Sequence, residues 1–222
     1  MATSGLRRGT QANTRGSRST ATRRALVDGA VRALRELGFA GASAREIAER
    51  ANCNQALVFY HFGSVNDLLL AALDDVSDRR LAAYTQVVDQ AHTLTELIDS
   101  ARTIFHEDLE SGDVAVLVEM ITGAGSTPGL GPQVVSRLAR WREFAASAVC
   151  RAVDGTPVAL LFPPEELAHA IVAGFLGLEM LADLDGDQQP ALALFDRART
   201  IAALFDLTDG TVPSDPREGD QP

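Results

Sequence analysis

The apolar positions in the first third of the chain repeat with helical spacing, and the repeat is interrupted twice. One stripe predicts a first helix over residues 22–37 and consists of Leu26, Ala30, Ala33, Leu34 and Leu37. Ser43, followed three residues later by Glu46, has the spacing of a capping box and predicts the start of a second helix. Helical spacing then stops at residues 52–54, where Asn52 tolerates the left-handed backbone of a sharp turn.

A third short helix is expected over Gln55–His61, and it should end at Gly63. Helices of about two turns are unstable alone in water, so the two short helices need the first one to pack on. Three helices with a tight turn before the last one form a helix-turn-helix unit. Ser64, with Asp67 three residues later, predicts the cap of a further helix that continues to about Val88.

The rest of the chain also has helical spacing, so an all-α fold is expected. Helices are expected over residues 93–110, 114–122, 133–153, 165–184 and 190–207. The run Gly123–Pro132 is expected to be a loop, and it cannot be a P-loop because it lacks the Lys-Ser/Thr pair and follows no strand. The apolar segment Gly155–Pro164 is expected to pack on the body or to cover a cavity.

Composition describes a folded protein of ordinary size. The 222 residues allow a substantial core, and a hydrophobic content of 46% excludes a disordered chain. No apolar run reaches the ~18 residues of a membrane helix, and the N-terminus lacks the apolar region of a secretory signal. Cys53 and Cys150 provide no disulfide framework. A cytoplasmic protein is therefore expected.

The charge of the chain is divided unevenly. The whole chain carries a net charge of -10, which by itself argues against nucleic-acid binding. Residues 1–63, however, hold ten arginines and four acids, whereas residues 64–222 hold ten arginines and 26 acids. A basic head beside a helix-turn-helix pattern fits contact with DNA phosphates. The alternative is an arginine-rich tail that is merely solvated.

The segment Ala48–Asn66, with N-Q-A-L-V-F-Y-H-F-G-S at its centre, resembles the recognition-helix signature of TetR-type transcriptional regulators. The first third of the chain is similar to that family in layout, and the rest matches in length and helical character. Three positions depart from the family pattern: Asn52 replaces a common Gly, Phe59 a frequent Tyr and Val65 a common Lys. The loss of that Lys removes a phosphate contact and should weaken DNA affinity by about 1 kcal/mol.

Side-chain chemistry assigns roles within the head, and these roles fall on positions that the resembled family uses. The first residues of a recognition helix read base edges in the major groove. The amide of Gln55 suits adenine, and Ala56 and Leu57 suit the thymine methyl group. Arg45 could reach a guanine or a phosphate. Contacts to the DNA backbone are expected from Ser43, Asn54, Tyr60 and His61.

The chain ends are poor in apolar residues. Residues 1–20 are expected to be a disordered Arg-rich arm, which either contacts phosphates or the minor groove or has no role. The predicted domains are this arm, the helix-turn-helix DNA-binding domain at residues 21–66, a helical ligand-binding and dimerisation domain at residues 67–208, and a disordered tail at residues 209–222.

The two C-terminal helices are apolar on two faces, which is typical of helices buried on two sides. They predict an isologous four-helix interface of a homodimer, which the family resemblance also implies. The alternative is that both faces belong to the core of one chain. The expected interface residues are Leu167, Ala170, Ile171, Gly174, Gly177, Leu178, Leu194, Ala198, Ile201 and Phe205.

The helical body is expected to hold a small apolar ligand with a few polar anchors. Arg102 and His106 lie one helical turn apart, while Glu119 and Glu179 interrupt apolar helices and need partners. The candidate ligand-binding residues are Arg102, His106, Glu119, Trp141, Phe175 and Glu179. Alternatively, Arg102 and His106 face solvent and Glu179 pairs across the dimer.

No constellation of catalytic residues appears. The sequence has no metal-ligand spacing and no nucleophile elbow, so neither an enzyme nor a metal or other cofactor is expected. It predicts a dimeric transcriptional regulator, more specifically a repressor of a pseudo-palindromic operator, that a small apolar effector releases from DNA. The alternative is a helical interaction module whose head binds a protein instead of a specific DNA sequence.

Overall fold

The computed structural model describes residues 8–154 and 163–206, with side chains from residue 17 onward. All regular structure in these residues is helical, which confirms the all-α prediction. In chain order the helices are α1 (Arg8–Gly41), α2 (Ala44–Arg50), α3 (Ala56–Phe62), α4 (Val65–Val88), α5 (Leu94–Ser111), α6 (Asp113–Ser126), α7 (Leu130–Val153), α8 (Pro164–Asp185) and α9 (Gln189–Asp206).

The helix starts follow local capping chemistry. The Ser43 hydroxyl accepts a hydrogen bond from the Glu46 N–H at 3.3 Å, as the capping box predicts. The Ser64 hydroxyl both accepts from the Asp67 N–H at 3.0 Å and donates to the Asp67 carboxylate at 2.6 Å. At α5 the first turn also binds a distant group, because the Leu94 N–H donates to the Asp206 carboxylate at 3.2 Å.

Several expected boundaries are wrong. Helix α1 begins at Arg8, where a disordered arm was expected over residues 1–20, because adding residues to an existing helix costs far less than nucleating one. Helix α6 extends to Ser126 and α7 begins at Leu130, so the predicted loop is reduced to a few residues. Asp113 is the first residue of α6, and Gly112 occupies the cap position. Residues 1–7, 155–162 and 207–222, including much of the arm and all of the tail, lie outside the described residues.

One described helix is apolar over a greater length than the sequence indicated. Helix α8 is long and apolar enough to cross a membrane by composition, and so are α3 and α4 if they are taken as one bent segment. Only 17% of the apolar window in α8 is buried in this chain. A large part of its apolar surface is therefore uncovered in a single copy.

The chain divides into two compact units, Met1–Arg80 with Ser111–Leu138, and Leu81–Glu110 with Ala139–Pro222. The first, the head unit, includes α6, although the predicted DNA-binding domain ends at residue 66. Helix α6 belongs there because it packs on the end of α1. The Glu119 carboxylate accepts the Phe39 N–H at 2.7 Å, Asp113 pairs with Arg35, and the Phe39 ring lies directly against Gly123.

The second unit, the body unit, is built around two groups of aromatic side chains. Tyr84 packs against Trp141, with ring centroids 5.5 Å apart. Phe105, Phe175 and Phe195 form a three-ring cluster with centroid separations of 5.4–6.2 Å. The outer seam between α5 and α9 is polar and contains the ion pairs Arg199–Asp99 and Arg102–Asp196.

Candidate DNA-binding site

The orientation of α3 is set by the turn that precedes it. Asn52 has the predicted left-handed conformation, with φ 49°, and the Cys53 N–H donates to the Ala48 carbonyl at 2.9 Å. Val58 is fully buried against the head unit, so the opposite side of α3 faces outward. The helix ends at Gly63, whose φ of 81° favours glycine.

The outward side of α3 carries the side chains that the sequence assigns to DNA. Gln55, Ala56, Phe59 and Tyr60 are exposed, and their spacing places them on one face of the helix. Tyr60 is 79% exposed, an unusual state for an aromatic side chain without a partner to cover it. Leu57 and His61 are half-buried at the edges of this face.

Two of the predicted DNA-backbone contacts also hold the local fold. The Asn54 side-chain oxygen accepts the Ala56 N–H at 2.8 Å and so stabilises the start of α3. The Ser43 hydroxyl does the same for α2. Arg45, which is exposed, has no ion-pair partner among the described residues. Its guanidinium is therefore available for an external anion.

Most other arginines of the head unit are occupied. Hydrogen bonds to Glu46 and Glu36 raise the pKa of Arg50, and its guanidinium joins α1 to α2. Arg24 pairs with Asp28 and Asp75, and Arg32 donates to the Arg50 carbonyl. The net charge of the head therefore overstates how many cations can reach DNA.

Two outward residues were missing from the predicted contact set. Phe59 is 50% exposed on the same face as Tyr60, although its role was left open. Arg23 of α1 lies over the Phe62 ring, with its guanidinium carbon 4.8 Å from the ring centroid. The sequence shows that this part of α1 is basic. It does not show that Arg23 contacts a ring while Arg24 pairs with acids.

Comparison with known proteins agrees with this geometry. The model of the family described as bacterial regulatory proteins, tetR family, matches residues 26–72, which include α2, α3 and the turn between them. Residues 26–72 therefore carry the DNA-binding region that is typical of the TetR family. An uncharacterized HTH-type transcriptional regulator of Mycobacterium tuberculosis is 27% identical over 162 residues, which cover 73% of this chain and 80% of the relative.

Solved structures show the TetR fold along most of the chain. A TetR-family member from Streptomyces coelicolor has a TM-score of 0.60 at 24% identity and covers 80% of this chain and 97% of its own. The regulatory protein TetR from Rhodobacter sphaeroides has a TM-score of 0.67 at 19% identity, covering 81% and 97%. The multidrug binding protein EbrR, solved with imidazole, has a TM-score of 0.57 at 23% identity, covering 79% and 93%.

The match to the TetR family model and to HTH-type regulators supports a DNA-binding transcriptional regulator. It favours the outward face of α3 as the DNA-reading surface over the alternative of a head that binds only protein. The individual contact residues, including Ser43, Arg45 and Gln55, remain predictions.

The predicted ligand residues do not form one group in the structure. Glu119 belongs to the head unit, where it binds the Phe39 N–H. In the body unit, Trp141 and Phe175 lie in the aromatic groups, and Glu179 is buried with 2% exposure. The remaining two lie on the polar seam: Arg102 pairs with Asp196, and His106 is 3.1 Å from the Gln188 side-chain oxygen.

An open groove of about 540 Å³ contains none of the predicted ligand residues. It lies between α7 and α8 in the body unit, and its lining includes Arg142, Glu143, Glu165, Glu166 and His169. It therefore gives no support to the predicted ligand set.

The predicted interface residues on α8 and α9 differ in exposure. Ala170, Ile171, Gly174, Leu194 and Ile201 are exposed, whereas Leu178 packs against the three-ring cluster. The same two helices expose further large apolar side chains that the prediction omitted, namely Leu181, Leu184 and Leu204. We call these eight exposed residues the apolar face of α8 and α9.

Proposed function

We propose that this TetR-family regulator is a homodimeric repressor in which each subunit inserts α3 into the major groove of one half-site of a pseudo-palindromic operator. The observation that carries the proposal is the outward face of α3, on which Gln55, Ala56 and Tyr60 have no other surface to contact. Its first residues supply an amide for adenine and apolar groups for thymine methyls. Arg45 and His61 stand beside this face for phosphate contacts.

The proposed homodimer follows from the apolar face of α8 and α9. Leu181, Leu184, Leu194, Ile201 and Leu204 are each more than half exposed in one copy. Contiguous apolar surface of this kind on a protein that works in water is normally covered by a partner. A second copy covers it with the same residues in an isologous four-helix arrangement, so α8 need not enter a membrane and the protein is cytoplasmic.

The proposed effector is a small apolar molecule that binds the body unit. Trp141, Phe175 and the rings around them are the apolar surface on which such a molecule would lie, with Arg102, His106 and Glu179 as polar anchors. The similar multidrug binding protein EbrR was solved with imidazole, which supports a small-molecule ligand. An effector releases DNA only if it binds the DNA-free state more tightly than the DNA-bound state.

The test is DNA binding by the purified full-length protein, followed by fluorescence anisotropy across a salt series. The DNA is the region upstream of the gene that encodes this chain. We expect saturable binding that weakens steeply with salt and is competed away by one short inverted repeat. Equal, weak binding to this region and to random DNA would contradict an operator at that place and a sequence-reading α3.

Two substitutions test the surface itself. Tyr60→Ala and Arg45→Ala should each abolish operator binding and leave the dimer intact, because both side chains are exposed and hold no part of the described fold. Size-exclusion chromatography and circular dichroism serve as controls for assembly and folding. Unchanged DNA affinity in both variants would show that α3 does not contact DNA in the proposed way.

A further inference from the structure

Arg23 is an exposed cation of the head unit that is held in place by an aromatic ring. It lies on α1, and its guanidinium carbon is 4.8 Å from the centroid of the Phe62 ring, within the range of a cation–π contact. Phe62 is the last residue of α3, so this contact joins α1 to the end of the recognition helix. The contact therefore places the guanidinium beside the end of α3.

The contact leaves the hydrogen-bonding capacity of Arg23 unused. A ring face contacts the guanidinium through its π system and accepts none of its five N–H groups in the plane. Among the described residues, no carboxylate or carbonyl accepts a hydrogen bond from Arg23, and no acid forms an ion pair with it. An exposed guanidinium that rests on a ring and keeps its N–H donors open is suited to bidentate binding of a phosphate group.

The neighbouring arginine shows the contrast. Arg24 has the same charge and stands on the same helix, but its guanidinium binds Asp28 at 3.2 Å and Asp75 at 3.3 Å. Its charge is already neutralised within the head unit. Two adjacent arginines of one sequence therefore differ in what they can offer to an external anion.

The position of Arg23 near the outward face of α3 indicates that the anion is a phosphate of the DNA backbone. A row of ring contacts leads from Tyr60 to His61 at 4.9 Å, from His61 to Phe62 at 6.5 Å, and from Phe62 to Arg23. When α3 lies in the major groove, the phosphates of the groove edge pass the ends of the helix. In that placement the end of α3, with Phe62 and the Arg23 of α1 that lies over it, faces the DNA backbone.

We propose that Arg23, positioned over the Phe62 ring, clamps a DNA backbone phosphate at the C-terminal end of α3. The inference rests on DNA binding through α3 and adds a contact that α1 makes. Phosphates are common to every sequence, so Arg23 contributes affinity and helps to fix the position of α3 without selecting bases. Phe62 is a positioning residue, because it acts on DNA only through Arg23.

The experiment compares Arg23→Ala with Arg24→Ala in the full-length protein. The probes are a fluorescent duplex selected from a random-sequence library by the wild-type protein and an unrelated duplex of equal length. Affinity is measured on both duplexes across a salt series. Arg24→Ala is a demanding control, because it removes the same charge and also takes away the ion-pair partner of Asp28 and one of the two partners of Asp75, the other being Arg79.

We expect Arg23→Ala to weaken binding to both duplexes, on the order of ten-fold. The slope of log K against log salt should fall by about one for each subunit, since one phosphate contact is lost. Arg24→Ala should retain the wild-type slope. Arg23→Lys should keep the slope and lose part of the affinity, because lysine retains the charge but not the planar stack.

Two results would overturn the clamp. One is an Arg23→Ala protein whose affinity and salt slope match those of Arg24→Ala. The other is a loss of affinity with an unchanged salt slope, which would mean that Arg23 supports only the fold of the head unit. If the wild-type protein bound no duplex at all, DNA binding through α3 would itself be wrong and the clamp with it.

Discussion

Gly123 lies where the end of α1 packs on α6. A Cβ atom placed on it would lie 2.3 Å from the Phe39 ring, a distance at which atoms overlap. Phe39 follows Gly38, which has φ 69°, and the Phe39 N–H is bound by Glu119. The end of α1 therefore packs on the bare backbone of α6, and only glycine permits that approach.

Gly123→Ala should lower the free energy of unfolding by about 1–3 kcal/mol, because the Phe39 ring must leave its position. Gly125→Ala is the matched control: it is the same substitution in the same helix, and its Cβ would have no atom within 4 Å. The control should be neutral or stabilising by up to about 1 kcal/mol, since alanine favours helix. Urea denaturation at one protein concentration measures both, and equal effects would contradict the packing of α1 on α6.

Residue roles were predictable where the chemistry is local. Ser43, Ser64 and Asn52 act within four residues of themselves, and each adopts the predicted role in the structure. Glu119 was predicted to bind a ligand because a carboxylate on an apolar helix needs a partner. The partner is the Phe39 N–H, 80 residues earlier in the chain. The spacing of apolar residues in a sequence cannot predict a contact between residues so far apart.

At the scale of helices, the start of α5 depends on the end of α9. The Asp206 carboxylate accepts the N–H groups of Leu94 and Thr95 at 3.2 and 3.1 Å. These N–H groups have no partner within α5, and a negative charge at a helix start is further stabilised by the helix dipole. The Thr93 hydroxyl, which accepts the Glu96 N–H at 3.2 Å, is a local cap, whereas capping by Asp206 depends on tertiary structure.

Asp206→Ala should lower the free energy of unfolding by about 1–2 kcal/mol, because both N–H groups lose their acceptor. Asp196→Ala removes a carboxylate from the same helix, but one whose exposed ion pair with Arg102 should contribute less than about 1 kcal/mol. Thermal unfolding of the two variants at matched concentration gives the comparison. A larger effect from Asp196→Ala would contradict the capping role of Asp206.

At the scale of the whole molecule, the predicted two-part organisation and the observed units differ for a physical reason. The hydrophobic spacing places the end of the DNA-binding domain near residue 66, because spacing describes each helix separately and not its contacts with other helices. The contact of α6 with α1 extends the head unit by residues that lie much later in the chain. The outward face of α3, in contrast, was predictable from spacing alone, because Val58 and Tyr60 lie on opposite sides of one short helix.

Gly177→Leu tests the homodimer. A Cβ at Gly177 would have no atom of the described residues within 4 Å, apart from the backbone of its own helix, so a larger side chain there should act mainly on a partner copy. We expect the variant to elute near the subunit mass of 23.6 kDa in size-exclusion chromatography at low concentration, where the wild type elutes as a dimer. The Gly125→Leu variant should remain dimeric, because Gly125 is exposed and a Cβ there would have no atom within 4 Å. A dimeric Gly177→Leu protein would place the interface elsewhere.

The recognition helix α3 and the apolar face of α8 and α9 belong to different units of the chain, and this has a genetic consequence. A Tyr60→Ala subunit retains every exposed residue of that face, from Ala170 to Leu204, and so pairs with wild-type subunits as readily as with itself. With equal expression, only about a quarter of the dimers would then carry two intact recognition helices. The mutant allele should therefore be dominant over the wild-type allele in a cell that carries a reporter under the operator. Adding Gly177→Leu to the same allele should make it recessive.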